Sequence, residues 1–342
     1  MNRSQEFQSL TELSAKAGKD PLLIQAAGGN TSCKLDDVMW IKSSGTQLAE
    51  ADSRDIFVPV DWKRMRDVLG EDIEAADQPV NFLSGEHTMR PSIETSLHAI
   101  FEQKIVVHVH CVNTIAVAIR ADAETVLGQK LAGFDWAFVP YIKPGARLAN
   151  AVKQRLKPTT DVIVLGNHGL IVAADTVSEA GALLERVVDA HRAPTPDPKP
   201  VSVDALEQVA ASGYVPFEDG HPLHQIALSS WHLEAAKAGS LYPDHVLFCG
   251  IAATVLEGEE TVDALRQRFE KEDQEPPVLL LIPGKGALMR SDMTDSAKAL
   301  ARCLGDVLLR TEEGSALTYL TLDQNFELLD WDAEKYRKAL NG

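Results

Sequence analysis

Residues 105–111 read IVVHVHC, so His108 and His110 stand one residue apart in an otherwise apolar run. Side chains at i and i+2 of a strand share a face, which projects both imidazoles side by side. That arrangement suits one metal ion, whose ligands must converge to within about 2 Å of it. His168 is a third ligand by type. It lies in GNHGL (166–170), a turn flanked by glycines, where backbone can approach closely. On these facts alone the three also fit two strand histidines and a turn histidine with no ion between them. Glu94, in RPSIETSLH near the start of a helical segment, supplies an acid/base group. A carboxylate in a first turn also serves simply as a cap interaction. His98 follows one turn later on the same face, placed to support the carboxylate or to pack.

The elements around these residues have the right order to position them. Ile93, Leu97, Ile100 and Phe101 recur at helical spacing and predict a helix over Ser92–Lys104 that feeds a strand over Ile105–Cys111. Pro144–Leu156 reads as an amphipathic helix. Asp161–Leu165 and Leu170–Ala173 are short apolar strands around the turn that carries His168. Thr176 to His191 is a helix, with Thr176 and Glu179 spaced as a capping box. No βαβ rhythm with a Gly-rich first turn appears. GGN at 28–30 is no dinucleotide fingerprint, because G-x-G-x-x-G is absent.

The clearest seam is APTPDPKPVS, 193–202, whose alternating prolines from Pro194 to Pro200 can neither continue a helix nor sit in a central strand. Beyond it come an apolar run Val246–Cys249, a helix over Val262–Glu272, a strand over Val278–Ile282, and helices over Ser296–Leu309 and Asp332–Leu340. FEKEDQEPP, 269–277, reads as a surface turn. PGKGAL, 283–288, does not match G-x-x-x-x-G-K-[ST], so no nucleotide phosphate is expected there. His221, His224 and His245 suit capping or surface roles better than a second metal site.

The chain has 342 residues, 45% apolar and 24% charged, enough for one large core or two ordinary domains. Its 33 basic and 50 acidic residues give a formal charge of −17, a bulk field that opposes nucleic-acid binding. A local basic pocket for an anionic metabolite stays open. The polar N-terminus carries no signal-peptide core, and no run of 18 or more apolar residues suggests a membrane span. Four separated cysteines, Cys33, Cys111, Cys249 and Cys303, form no C-x-x-C pair, which leads to the expectation of a cytoplasmic enzyme rather than a disulfide framework.

Four stretches in order, GGNTSCK (28–34), IKSSG (41–45), RPSIETSLHAIF (90–101) with HVH (108–110), and GNHGL (166–170), resemble the class II aldolase/adducin family of zinc-dependent sugar-phosphate aldolases and their relatives. The likeness covers about residues 10–192. More closely, these motifs resemble the aldolase half of bacterial fusions between a rhamnulose-1-phosphate aldolase and a short-chain dehydrogenase. LYPDHV, PGKGA and LLDWDAEKYRKAL faintly resemble the region connecting those halves. The resemblance implies an α/β fold, a three-layer α/β/α domain with a central mixed or antiparallel sheet over 1–193; the prolines then mark a linker at 194–202, and a smaller C-terminal α/β domain is expected over 203–342.

The same resemblance implies one Zn2+ per subunit, held by His108, His110 and His168, with Glu94 taking and returning a proton during C–C cleavage. Gly29, Asn30, Ser44 and Gly45 match donors around a substrate phosphate, and Ser92 matches one hydroxyl of a serine pair. Tyr141, in PYIKPG, matches a tyrosine that protonates or orients the aldehyde half from a neighbouring subunit of a homotetramer. The implied activity is a lyase that splits a phosphorylated ketose into dihydroxyacetone phosphate and an aldehyde through an enediolate whose charge zinc would hold. Pentulose-phosphate 4-epimerases and decarboxylases of 3-oxo-sugar-acid phosphates share the scaffold. A non-catalytic adducin-like module is the remaining alternative, but such domains lack the histidines.

Three departures matter. Ile93 replaces the second serine, and Ala27 replaces a usual threonine. Each lost donor to a charged oxygen is worth about 1.5–3 kcal/mol. The anion is then held differently, by Lys34 or Lys42, or the substrate lacks it. The partner expected is a small phosphorylated sugar or sugar acid, with Lys42 as its point charge. Cys111 replaces the usual proline after H-x-H, and strand alternation turns its thiol away from the histidines, into packing.

Overall fold

The structure, a computed structural model, describes residues 5–211 and 213–341. It divides into two compact units. The first comprises the chain to Ala118, Asp122–Arg192 and Lys335–Asn341; the second comprises Ile119–Ala121 and Ala193–Glu334. The sequence seam at 193 thus coincides with a boundary between units. Residues 335–341 group with the first unit.

The first unit is built on a seven-stranded sheet: β1 (Asn30–Leu35), β2 (Val38–Lys42), β3 (Phe57–Val60), β4 (Ile105–Val109), β5 (Trp136–Val139), β6 (Val162–Leu165) and β7 (Gly169–Ala174), in the order β3-β2-β1-β4-β7-β6-β5. Every neighbouring pair is antiparallel except β5 with β6. β4 lies in the middle and is buried on both faces, which is why its sequence is apolar almost throughout. On one face Val107 and Val109 pack with Phe7 and Leu10 of helix Gln5–Gly18 and with Leu184 and Val187 of helix Val177–His191. On the other, Val106 packs with Leu97 of helix Thr95–Ala99 and with Ala149 and Val152 of helix Ala146–Lys153. Alternation puts His108 on this second face with Val106.

The helix expected over Ser92–Lys104 is real only over Thr95–Ala99. The carbonyls of Phe101 and Gln103 are taken by the buried ammonium of Lys34, at 2.5 and 2.9 Å, rather than by helical N–H groups. Helix Ala146–Lys153 starts after Gly145, whose φ of +110° cannot be helical. The capping box before Val177–His191 forms with both arms: Glu179 N–H donates to Thr176 Oγ1 at 3.2 Å, and Thr176 N–H donates to Glu179 Oε2 at 3.1 Å.

The second unit pairs helices with a four-stranded sheet, β8 (Tyr214–Pro216), β9 (Thr254–Val255), β10 (Leu279–Ile282) and β11 (Gly286–Arg290), in the order β8-β11-β10-β9. PGKG is the hairpin turn between β10 and β11. The run Val246–Cys249 lies within helix Pro243–Cys249. The Pro-rich stretch has no regular element, but the Gln225 side-chain amide holds both backbone groups of Lys199, each at 2.8 Å. His221 caps helix Pro222–Ala227, accepting from Leu223 N–H at 3.3 Å, and His224 accepts from Ala287 N–H at 3.1 Å. No described helix is long and apolar enough to cross a membrane.

His191 gives the first unit a pH dependence. Its ring is fully buried and donates from Nδ1 to the Val187 carbonyl at 2.8 Å, and burial pushes its pKa down to about 4. Below about pH 6.5 the unfolded chain takes up a proton there that the folded chain refuses. Stability therefore falls as pH drops from about 6.5 towards 4, by about 2 kcal/mol from this residue by pH 5. Urea unfolding at pH 7 and pH 5 should show that loss in the wild type and a correspondingly smaller one in His191→Leu.

Candidate functional site

Strand register assembles the site. Asn30 on β1 lies directly opposite His108 on β4, and His108 lies opposite Ile171 on β7. The tight turn between β6 and β7 carries His168. It can close onto β4 only because residue 169 is glycine: a Cβ there would stand 2.5 Å from the Val109 carbonyl oxygen and 3.2 Å from His108 Cε1. Gly29 solves the same problem at the start of β1. Its φ is +61°, and a Cβ would meet the His108 carbonyl at 2.8 Å.

These approaches bring three buried imidazoles together. Ring centroids are 5.0 Å apart for His108–His110, 4.9 Å for His108–His168 and 5.1 Å for His110–His168. One ring nitrogen of each lies within 4.8 Å of the other two. Among the described residues no other three His, Cys, Asp or Glu side chains converge in this way. The Leu170 carbonyl lies 3.1 Å from His108 Nδ1, which places the hydrogen there and turns Nε2 inward as the donor atom. Three converging buried imidazoles, His108 oriented by a backbone carbonyl, fit a divalent transition ion.

Glu94 sits against this cluster. Its Oε2 is 3.4 Å from His108 Nε2 and its Oε1 is 3.5 Å from His168 Nε2. Asn30 Nδ2 donates to Oε2 at 2.8 Å and to Ser92 Oγ at 3.2 Å. Ser92 Oγ also accepts from the Glu94 backbone N–H at 3.2 Å. Burial alone would raise the Glu94 pKa. The histidines, His108 first, and the Asn30 amide outweigh it and hold the carboxyl down at about 2, so the group is ionised.

The other residues singled out in the sequence divide. Gly29, Asn30 and Ser92 join the cluster. Lys42 Nζ donates to the Ala27 carbonyl at 3.0 Å and so ties the end of β2 to the GGN turn. Ser92 N–H donates to the Lys42 carbonyl at 3.1 Å, which lays the KSSG turn beside the Ser92 segment. The Ser44 backbone N–H is not a spare anion donor, because it is spent on the Arg90 carbonyl at 2.8 Å. Lys34 is corrected as an anion ligand. It sits at the far end of β1, bonded to Phe101 and Gln103, and burial pushes its pKa down to about 7. The Cys111 side chain packs in the core with Val107 and Val109, away from the imidazoles. Tyr141 follows β5, its backbone nitrogen 3.1 Å from where a Cβ on Gly166 would stand.

Two features at the edge of the site had no signal in the sequence. Leu340 covers Gly45, where a Cβ would come within 2.5 Å of Leu340 Cδ1, and the Arg90 guanidinium lies 4.3 Å from the Tyr336 ring centre. The bond from Asn30 to Glu94 was equally hidden. Its only trace is a polar triplet, Asn-Thr-Ser, in a buried strand.

Residues 8–193 match the sequence family described as Class II Aldolase and Adducin N-terminal domain, a span of more than half the chain. The chain belongs to the class II aldolase and adducin family. Among curated relatives, the uncharacterized oxidoreductase YuxG of Bacillus subtilis (strain 168) is 30% identical over 176 residues, which are 46% of this chain and 25% of that protein. The chain thus matches only about a quarter of that relative's length. Among solved structures, the N-terminal class II aldolase domain of a conserved protein from Thermoplasma acidophilum is 25% identical, with a TM-score of 0.49 over 56% of this chain and 93% of that one. L-fuculose-1-phosphate aldolase from Thermus thermophilus is 18% identical, with a TM-score of 0.36 over 54% of this chain and 92% of that one. The family match spans all three histidines, His108, His110 and His168.

Proposed function

We propose that the protein is a zinc-dependent lyase that cleaves a small phosphorylated ketose to dihydroxyacetone phosphate and an aldehyde. The observation that carries this reading is the Glu94 carboxyl group 3.4–3.5 Å from the Nε2 atoms of two of three converging, buried imidazoles. When bound by His108, His110 and His168, the ion supplies Lewis-acid polarisation of a substrate carbonyl and charge stabilisation of an enediolate. Glu94 takes the proton from the substrate hydroxyl beside the breaking bond and returns it to carbon. Asn30 and Ser92 fix the carboxylate for that transfer. Tyr141 orients the aldehyde half, from a neighbouring subunit of a homotetramer. Lys42, the Ser44 side chain and the turn at 28–30 receive the phosphate. The four cysteines are buried thiols outside any disulfide, in keeping with work in the cytoplasm.

Ketose phosphates and oxo-sugar-acid phosphates incubated with zinc-loaded protein, with products read by mass, test the proposal. Cleavage gives a three-carbon phosphate plus an aldehyde. Loss of CO2 would make the enzyme a decarboxylase, and unchanged mass with a new retention time an epimerase; either overturns the lyase reading. Lys42→Met should raise KM for the phosphorylated substrate about tenfold or more, the worth of one hydrogen bond to a charged oxygen, with little change in metal content. Equal turnover of the neutral sugar and its phosphate removes Lys42 from this role.

A further inference from the structure

Glu94 is the last member of a buried hydrogen-bonded chain that starts at Ser32. Ser32 Oγ is 2.7 Å from His98 Nδ1, His98 Nε2 is 2.5 Å from Asn30 Oδ1, and Asn30 Nδ2 is 2.8 Å from Glu94 Oε2. All four residues are at most 4% exposed. Asn30 and Ser32 share one face of β1, and Glu94 and His98 stand four apart on one short helix segment, so strand and helix are joined twice. We propose that His98, oriented by Ser32, is a positioning residue that locks the Asn30 amide with its NH2 towards Glu94 and thereby fixes the carboxylate for proton transfer.

The direction of every bond follows from the end of the chain. Asn30 Nδ2 donates to Glu94 Oε2, so the amide presents its NH2 to Glu94 and its carbonyl oxygen to His98. That oxygen only accepts, so the hydrogen of His98 is on Nε2. Burial, with His108 nearby, pushes the His98 pKa down to about 3, which keeps the ring neutral and leaves Nδ1 an acceptor for the Ser32 hydroxyl. Turned the other way, the amide would set its oxygen against the carboxylate. Without the ring, nothing on the His98 side selects between the two orientations. The inference rests on the Glu94 role proposed above but makes a demand of its own, a single tautomer at His98.

The test uses full-length protein labelled with 15N at histidine and at asparagine amides. The wild type should show His98 protonated on Nε2 and not on Nδ1, with slowly exchanging Asn30 NH2 protons that become fast in His98→Leu. In His98→Leu, kcat should fall about 10–100-fold while KM and zinc content stay within about twofold, the usual reach of a residue acting through another. His98→Gln, which restores an N–H donor, should recover most of the loss, and Ser32→Ala should lose a few-fold. A proton on Nδ1 overturns the proposal, as does a folded, zinc-loaded His98→Leu with unchanged kcat. Failure of His98→Gln to recover activity reduces His98 to packing and overturns it too. Should the wild type cleave no sugar phosphate, the lyase reading falls, and the tautomer and Asn30 exchange decide the relay alone.

Discussion

His108→Ala should abolish binding of a divalent ion and, with it, lower turnover by on the order of 10³-fold or more, well beyond the 10–100-fold typical of residues that only support a ligand. The expectation follows from how little else the site offers an ion. Three nitrogen atoms lie within 4.8 Å of one another, and no fourth His, Cys, Asp or Glu among the described residues completes the group. Removing one leaves two imidazoles, fewer than the three protein ligands that hold a catalytic zinc. His108 is also the member of the three set in β4's register, with its Nδ1 committed to the Leu170 carbonyl. Elemental analysis of protein purified without added metal should find about one equivalent of divalent ion per wild-type chain and under about a tenth in the variant. Circular dichroism should show the variant folded, since its ring touches the sheet face only locally. Wild-type activity that survives a chelator and ignores added zinc would overturn the metal reading outright.

How much of this was legible in the sequence depended on whether a feature is local. The pair His108 and His110 was readable because strand alternation fixes their common face without reference to anything else. His168 was readable as a type in a glycine-flanked turn, and Gly169 explains physically why the turn closes on β4. The seam at 193 and the capping box at Thr176 were local for the same reason. What failed was non-local. The apolar period of 92–104 continues past Ala99, but the helix stops there, and beyond it Lys34, 67 residues earlier in the chain, takes the Phe101 carbonyl. Lys34 itself was credited with holding an anion because it shares a motif with Asn30. Four residues of extended chain at about 3.3 Å each carry it about 13 Å away. The grouping of residues 335–341 with the first unit, and the cover that Leu340 gives Gly45, had no periodicity or motif to announce them. Nor did the Asn30–Glu94 bond, which spans 64 residues and exists only because β1 pairs with β4 in one register.

Glu94→Gln should separate binding from chemistry at the same site. The substitution keeps the side chain's shape and still offers Asn30 Nδ2 a carbonyl oxygen to donate to, but it removes the charge and the basic lone pair. Glu94 is held on the ionised side, so its oxygens are open to a proton, and the reaction needs a group that takes one up and returns it. A glutamine can do neither, and the cost of losing a general base is about 10²–10⁴-fold in kcat. The metal should stay, because the three imidazoles supply the nitrogen donors and the carboxylate oxygens stand 3.4 and 3.5 Å from two of them rather than among them. KM should move little, since Glu94 is not among the groups proposed to hold the phosphate. The pattern to look for is therefore a large fall in kcat with metal content and KM near wild type, measured on a substrate verified by product mass. Loss of metal together with activity would show Glu94 to be a ligand, and near-normal turnover would remove it from the proton transfer altogether.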